Sequence, residues 1–353
     1  MKLKNKATKN QVKKVYDQRA KLDFTSGSND FQLKKIEQKV IYREIKKGSR
    51  ILELGCGNGE TLIRLAENKN CNGIGLDISQ GMINLAKKNL KLSKKNLNIK
   101  FKVKAAPNIG KFEKFDFIIT QRCIGNLQTR KDQRETIKNL VGLLKKRGKL
   151  IMIEDCIQSH QNLNNFRKKL GLYEIDQPWF NFFLDRHEIE DWQNDGYKIE
   201  KGPISVGSTY YFLSRVVYAK LAKDKGTPIE KLKYDNPINN MSHKLENIGD
   251  FGSPNLWVIS KSSPKYEEEI NKKYPKKVII FGGTAQAKLV EDILSFNKTK
   301  VAAVFDDTPN LRSPFTGTNI YTGLKDLRKW SRDKNVSSYG FVVAIGNPHS
   351  KER

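Results

Sequence analysis

The chain has 353 residues, 37% hydrophobic and 29% charged, with a formal net charge of +28. That length favours two domains over one, and the hydrophobic share excludes a chain too polar to bury a core. No run approaches the roughly 20 apolar residues that cross a bilayer, so membrane insertion is not expected. The start, MKLKNKATKNQ, has basic residues with no apolar stretch behind them, which is not a secretory signal and leaves the cytoplasm as the expected location. Cys56, Cys71, Cys123 and Cys156 lie far apart without Cys-x-x-Cys spacing, and read as reduced thiols rather than a disulfide framework or metal site. The positive charge would suit a polyanion. Because the lysines are spread along the chain among Asn and Ile, with no Arg-rich block, a solvated surface is favoured over a nucleic-acid groove.

In chain order, residues 10–47 read as helix, with Phe31, Leu33, Ile36, Val40, Ile41 and Ile45 near helical spacing and Gly48 as a stop. Strand RILELG, helix ETLIRLAENK, strand GIGLDI, helix GMINLAKKNLK, strands IKFKVKA and FDFIIT, helix RKDQRETIKNLVGLLKK and strand KLIMIED follow. This alternation predicts an α/β fold with a mostly parallel sheet covered on both faces. Beyond Asp155 the pattern loosens, with strand-like YKIEKGPIS, strand-like STYYFLSRVVYAKL, and a last strand closing NNMSHKLENIGDFGSPNLWVISK. A polar stretch over residues 263–276 reads as a linker. From about residue 277 the alternation resumes as a second, small α/β unit, with no short-period repeat.

The first strand-to-helix turn carries ILELGCGNGE. Gly55, Gly57 and Gly59 allow a tight turn and close approach of a ligand to the backbone, and the following helix presents free N–H groups. A glycine cluster alone is shared with dinucleotide and phosphate sites. Glu53, two residues before Gly55, is placed to meet a cationic or amine-bearing ligand, and Asp77 at the end of the second strand can take both ribose hydroxyls. Ile78 and Met82 can pack against a base. Together, over roughly residues 30–155, these features resemble the class I S-adenosylmethionine-dependent methyltransferases. The resemblance implies a Rossmann-like domain with a seven-stranded, mostly parallel sheet and S-adenosylmethionine as cofactor. It implies donor contacts at Glu53, Gly55, Cys56, Gly57, Gly59, Asp77, Ile78, Met82 and Gln121. The third strand ends KAAPN, without the acid often found there, so Ala105 and Ala106 would meet the adenine through backbone.

In such a class an acceptor atom attacks the methyl in line, positioning supplies much of the rate, and a base is needed only if the acceptor carries a proton. The acceptor is expected where the fourth and fifth strands end. Arg122 and Asn126 can hold a carboxylate, phosphate or sugar hydroxyl, with tying down its own loop as the alternative for Arg122. Asp155 and His160 are candidate bases, with a capping or surface role as the alternative for His160. Trp179 and Asn181 can floor a sugar ring, with core packing as the alternative. His187 beside the helix cap Asp185 is discounted, and His243 has no assigned role. No metal is expected. The segments after residue 120 also look similar to bacterial methyltransferases of small molecules that accompany surface-polysaccharide genes.

The second glycine loop, KVIIFGGTAQAK, with the acids of VAAVFDD and the run through GFVVAIGNP, resembles the N-terminal nucleotide-sugar-binding domain of bacterial acetyltransferases acting on bacillosamine or sialic-acid precursors. Carried over, Gly282, Gly283, Thr284, Asp306, Asp307, Gly346 and Asn347 would face a nucleotide sugar. The catalytic β-helix of those enzymes does not follow before Arg353, so acetyl transfer is not expected and a truncated second domain is left open. The expected organisation is a methyltransferase domain over 1–262 with an N-terminal helical segment, a linker, and a nucleotide-sugar-binding-type domain over 277–353. The expected function is methyl transfer to an oxygen or nitrogen of a small molecule, a sugar or nucleotide-sugar in surface-polysaccharide synthesis. An RNA methyltransferase and a non-catalytic scaffold for a sugar acetyltransferase are the alternatives, and homo-oligomerisation stays open.

Overall fold

The computed structural model describes residues 7–25, 30–93, 95–228, 232, 235–242, 244–262, 277–281, 300–307, 318–332 and 339–343. Thr8 and Gln11 cap the first helix reciprocally: the Thr8 hydroxyl accepts the Gln11 N–H at 3.2 Å and the Gln11 amide oxygen accepts the Thr8 N–H at 2.7 Å. Helix α1 then runs over Lys9–Arg19, a 3-10 turn over Ala20–Thr25, and α2 over Phe31–Glu44. The single helix expected over 10–47 is thus two, because Asp30 accepts the Leu33 N–H and starts a new one.

From β1 (Arg50–Leu54) the chain alternates through α3 (Glu60–Lys69), β2 (Asn72–Asp77), α4 (Gln80–Leu92), β3 (Ile99–Val103), β4 (Phe115–Gln121), α5 (Arg130–Gly142) and β5 (Leu144–Asp155). The helix expected to reach Lys146 stops at Gly142, since Leu144 already pairs with Phe115. Then come α6 (Ile157–Lys169), α7 (Arg186–Asp191), β6 (Tyr197–Ser205), helices α8 to α10, and β7 (Pro254–Lys261). The strands form one seven-stranded sheet in the order β3-β2-β1-β4-β5-β7-β6. β1 to β5 are parallel, and β7 lies antiparallel between β5 and β6.

Successive residues of a strand point to opposite faces, and the two faces hold two cores. Ile51 and Ile151 pack with Ile41 of α2, Leu62 of α3 and Ile83 of α4. Leu52 and Leu150 pack with Leu140 of α5, Ile189 of α7 and Trp257 of β7. Strands buried on both faces read as continuous apolar runs, which is why RILEL and LIMIE were readable.

STYYFLSRVVYAKL is a helix, not a strand: α8 (Ser208–Tyr211), a π-helical turn (Phe212–Val217) and α9 (Tyr218–Asp224) run on without a break. Its aromatic and β-branched residues favour strand locally. Gly207, at φ +71°, opens the helix, and Tyr210, Ser214 and Ala222 are buried at helical spacing, so tertiary packing overrides the local preference. Helix α10 covers Pro237–Ser242.

The chain divides into two units, Met1–Lys261 and Ser262–Arg353. In the second, β8 (Lys277–Phe281), β9 (Lys300–Phe305), β10 (Ile320–Tyr321) and β11 (Tyr339–Val343) form a parallel sheet in the order β10-β9-β8-β11, and α11 (Gly323–Ser331) packs Trp330 against Phe305. The linker residues 263–276 lie outside the described residues. Among the described residues no helix is long and apolar enough to cross a membrane.

Candidate functional site

The parallel strands β1, β2, β4 and β5 end along one edge of the sheet, which brings Gly55, Asp77, Gln121 and Asp155 to the same side. Strand order reverses at β1, and a crevice opens there between the ends of β1 and β4, where ligands of open α/β sheets bind. In this protein the crevice widens into a cavity of about 1450 Å³ whose described lining belongs to the first unit. A single small ligand typically occupies about 300–1,000 Å³, so two can be accommodated side by side.

The glycine turn forms one wall. Gly55 has φ +75°, and a Cβ there would stand 2.5 Å from Cys123 Sγ at the end of β4; Gly57 has φ +51°, and nothing lies within 4 Å of where its Cβ would be. The first glycine is therefore required by the protein's own packing, and the second leaves open space beside the backbone. Glu53 is buried, and its Oε2 has no hydrogen-bond partner among the described residues. Burial pushes its pKa up to about 8, with the Asp77 charge adding to the shift. Asp77 is buried at the end of β2, its two oxygens accepting the Gly57 and Ser79 N–H groups, each at 2.9 Å. Burial raises its pKa, while those two N–H groups pull it back. Cys56, Ile78, Met82, Ala106 and Gln121 also line the cavity. Gly59, at φ +76°, opens α3 and packs against Phe101, and neither it nor Ala105 is in the lining.

The wall built from the ends of β4 and β5 is held by buried charge. Arg122 adopts φ +50°, a conformation costly for a residue with a Cβ. Its guanidinium pairs with the fully buried Glu37 of α2 at 3.1 Å, and Glu37 also accepts from the Gln121 amide at 2.5 Å. Burial opposes the Arg122 charge, but Glu37 and then Asp155 hold its pKa above the ordinary value. Glu154, also buried, accepts the Cys123 and Gly125 N–H groups at 3.1 and 3.3 Å, and burial pushes it up to about 7. Asn126 accepts from the Tyr16 hydroxyl at 3.1 Å and donates to the Arg122 carbonyl at 2.9 Å.

Asp155 lines the cavity, raised by burial and lowered by Arg122. His160 lines it too, and burial lowers its pKa, so it is neutral at pH 7. Its Nε2 stands 3.3 Å from the Asn164 amide nitrogen, and a backbone hydrogen bond with Ile175 also holds the ring. Those contacts anchor the His160 ring, while Asp155 is held by Arg122 and Ser253. Asn181 lines the cavity, while Trp179 does not; it is 54% exposed and meets Phe180 edge-on, and Phe180 and Phe183 are the aromatics of this segment that line the cavity. The pattern QPWFNFF holds four aromatic rings and cannot say which of them turn inward.

Sequence reasoning passed over several lining groups. Tyr16 of α1 meets Phe180 edge-to-face and Arg19 sits over the Phe180 ring, and Asp17 accepts from the Ser79 hydroxyl and the Gly81 N–H, which fixes α1 across the start of α4. Arg167 of α6 and Tyr211, Arg215 and Lys223 of the α8–α9 helix complete the wall. No motif marks them, since they meet only on folding. The four cysteines are free thiols, three of them buried. In the second unit, Asp306 is half-buried and Asp307 exposed after β9. Gly282, Gly283, Thr284, Gly346 and Asn347, and likewise His243, lie outside the described residues.

A methyltransferase domain family model matches residues 45–202, and a PglD N-terminal domain family model matches residues 277–353. The chain is 38% identical over 76 residues to uncharacterized protein MJ1252 of Methanocaldococcus jannaschii, covering 22% of this chain and 28% of that one. It is 32% identical over 114 residues to YqeM of Bacillus subtilis, covering 32% of this chain and 45% of that one. The matches thus span less than half the length of either curated relative. Among solved structures, magnesium protoporphyrin IX methyltransferase of Synechocystis with bound S-adenosylhomocysteine aligns over 72% of this chain and 100% of its own, at 14% identity and TM-score 0.47.

Proposed function

We propose, from the match of residues 45–202 to a methyltransferase domain model and of residues 277–353 to a PglD N-terminal domain model, that this chain transfers a methyl group from S-adenosylmethionine to an oxygen or nitrogen of a sugar or nucleotide-sugar, in making surface polysaccharide. In this reading the methyltransferase part extends to about residue 262, and residues 263–276 link it to the second domain.

The observation that carries the donor assignment is the Glu53 Oε2 atom, buried without a partner beside a glycine turn with open space at Gly57. An amine-bearing ligand with two vicinal hydroxyls fits that wall: Glu53 takes the ammonium group, the backbone at Gly55 and Gly57 lies along the amino-acid part, and Asp77 accepts the hydroxyls. Ile78 and Met82 flank the base. S-adenosylmethionine supplies an electrophilic methyl group on a sulfonium. The protein's part is to orient, to exclude water and to hold charge. Arg122 and Asn126 bound the acceptor's space, and Asp155 takes the acceptor proton where one must leave. The sugar class is supported by the second domain, through its resemblance to nucleotide-sugar-binding domains. The test is ligand-induced thermal shift with S-adenosylhomocysteine, alone and with UDP-, GDP- and dTDP-sugars. Stabilisation by both ligand classes is expected. A shift with the homocysteine ligand alone would remove the sugar assignment and favour another acceptor, RNA included.

Glu53 adds a proton linkage. With a pKa near 8 in the chain without ligand, it is mostly protonated at pH 7. An ammonium partner favours the carboxylate, so binding releases a proton and affinity rises with pH between about 6 and 8. The same shift makes this group's contribution to stability fall as pH rises from its ordinary 4.5 toward 8. Calorimetry of S-adenosylhomocysteine binding at pH 7, in buffers of different ionisation enthalpy, should show proton release that Glu53→Gln abolishes. Equal heats in all buffers would contradict this ligand for Glu53.

A further inference from the structure

The wall formed by α6 and the α8–α9 helix holds a guanidinium that no carboxylate among the described residues neutralises. Arg167 is 6% exposed and lines the cavity. Its Nε donates to the Tyr173 carbonyl at 2.8 Å and its Nη1 to the Arg215 carbonyl. Those two carbonyls fix the plane of the group and carry no net charge. Among the described residues no carboxylate pairs with Arg167, and its Nη2 has no hydrogen-bond partner. Burial lowers its pKa, and the charge that acts on it is a second cation, Arg215, which lowers it further.

Arg215 is differently placed. It pairs with Asp30, donates to the Ser214 hydroxyl at 2.7 Å, and sits over the rings of Tyr210 and Tyr211 at 5.2 and 4.9 Å. Its position is therefore set by the fold, and its charge is already matched. Lys223, about two turns beyond on α9, also lines the cavity and donates to the Gly171 carbonyl. Three cations thus border this wall, and among the described residues the carboxylate paired with them is Asp30, on Arg215. A buried ionised group without a counter-charge is costly, and a guanidinium pre-oriented by carbonyls is suited to planar, bidentate oxyanions.

We infer that Arg167, flanked by Arg215 and Lys223, binds an oxyanion of the methyl acceptor, a carboxylate or a phosphate, so that the acceptor is an anionic small molecule. This rests on the reading of the cavity as a joint donor and acceptor site. A neutral sugar would leave Arg167 unmatched, whereas a uronate, a sugar phosphate or the diphosphate of a nucleotide-sugar would match it. The contact orients the acceptor and leaves the choice of methylated atom to the end of β5.

The test uses the full chain and two probes, inorganic pyrophosphate and malonate, titrated calorimetrically at low salt with and without saturating S-adenosylhomocysteine. One probe should bind, and which one separates a phosphate from a carboxylate source. Arg167→Gln should weaken it at least about tenfold, the loss expected for a charge-assisted bidentate contact. Arg167→Lys should retain part of the affinity, and Lys223→Gln should cost about two- to fivefold. Unchanged S-adenosylhomocysteine affinity in these variants shows that the fold survives. Binding of neither anion at millimolar concentration, or equal binding by wild type and Arg167→Gln, overturns the inference while leaving the donor site standing. If the homocysteine ligand fails to bind but pyrophosphate or malonate binds through Arg167, the anion site stands and the donor assignment falls.

Discussion

Asp77→Ala is expected to weaken S-adenosylhomocysteine binding about 100-fold, from the loss of two charge-assisted hydroxyl contacts worth about 1.5 kcal/mol each at the low end. The substitution acts twice. It removes the acceptor for the ribose, and it frees the Gly57 and Ser79 N–H groups that the carboxylate now holds at 2.9 Å, so the glycine turn also loses its anchor. Asp77→Asn keeps the shape and one carbonyl oxygen, and should lose less. Calorimetric titration of both variants, with melting curves as a fold check, measures this. An Asp77→Ala protein that melts normally and binds within threefold of wild type would count against the ribose assignment.

Glu37→Ala is expected to cost about 3 kcal/mol of stability, and roughly 10 °C in Tm for a unit of this size. Glu37 is fully buried, and its carboxylate is shared by Arg122 and Gln121. Removing it leaves a guanidinium at an already costly backbone conformation without its paired carboxylate, with the charge of Asp155 remaining nearby. Breaking a fully buried pair costs about 3–5 kcal/mol; the Arg122 side chain is 26% exposed, which puts the expected loss at the lower end. A double variant, Glu37→Ala with Arg122→Met, should recover part of the loss, because it removes the orphaned charge as well. Chemical denaturation of Glu37→Ala, Arg122→Met and the double variant decides it. A single-variant cost below about 1 kcal/mol, or additive losses in the double variant, would show that the pair does not hold this loop.

What could be read from the sequence follows from how local each signal is. Glu53, Gly55, Gly57 and Asp77 stand at two strand ends 24 residues apart at most, and their spacing reflects the turns themselves, so pattern and structure coincide. The buried strands were readable for the same reason. The acceptor wall was not. Glu37 meets Gln121 across 84 positions and Arg215 meets Asp30 across 185, and such pairs leave no mark in a short window. The 208–224 helix was misread because its aromatic and β-branched residues favour strand, while the burial of Tyr210, Ser214 and Ala222 that decides for helix exists only once the sheet is formed. Trp179 and Phe180 are neighbours of the same chemical type, so only the fold says which ring enters the cavity. Arg122 was legible as a cation beside the site; its commitment to Glu37 was not.

The most direct test of the donor assignment is a crystal structure of the full chain with S-adenosylhomocysteine. The ligand's amino group should lie within hydrogen-bond distance of Glu53 Oε2, its ribose hydroxyls on Asp77 and its adenine against Ile78 and Met82. A ligand bound elsewhere in the cavity, with Glu53 still unpartnered, would contradict the account, as would no bound ligand at saturating concentration.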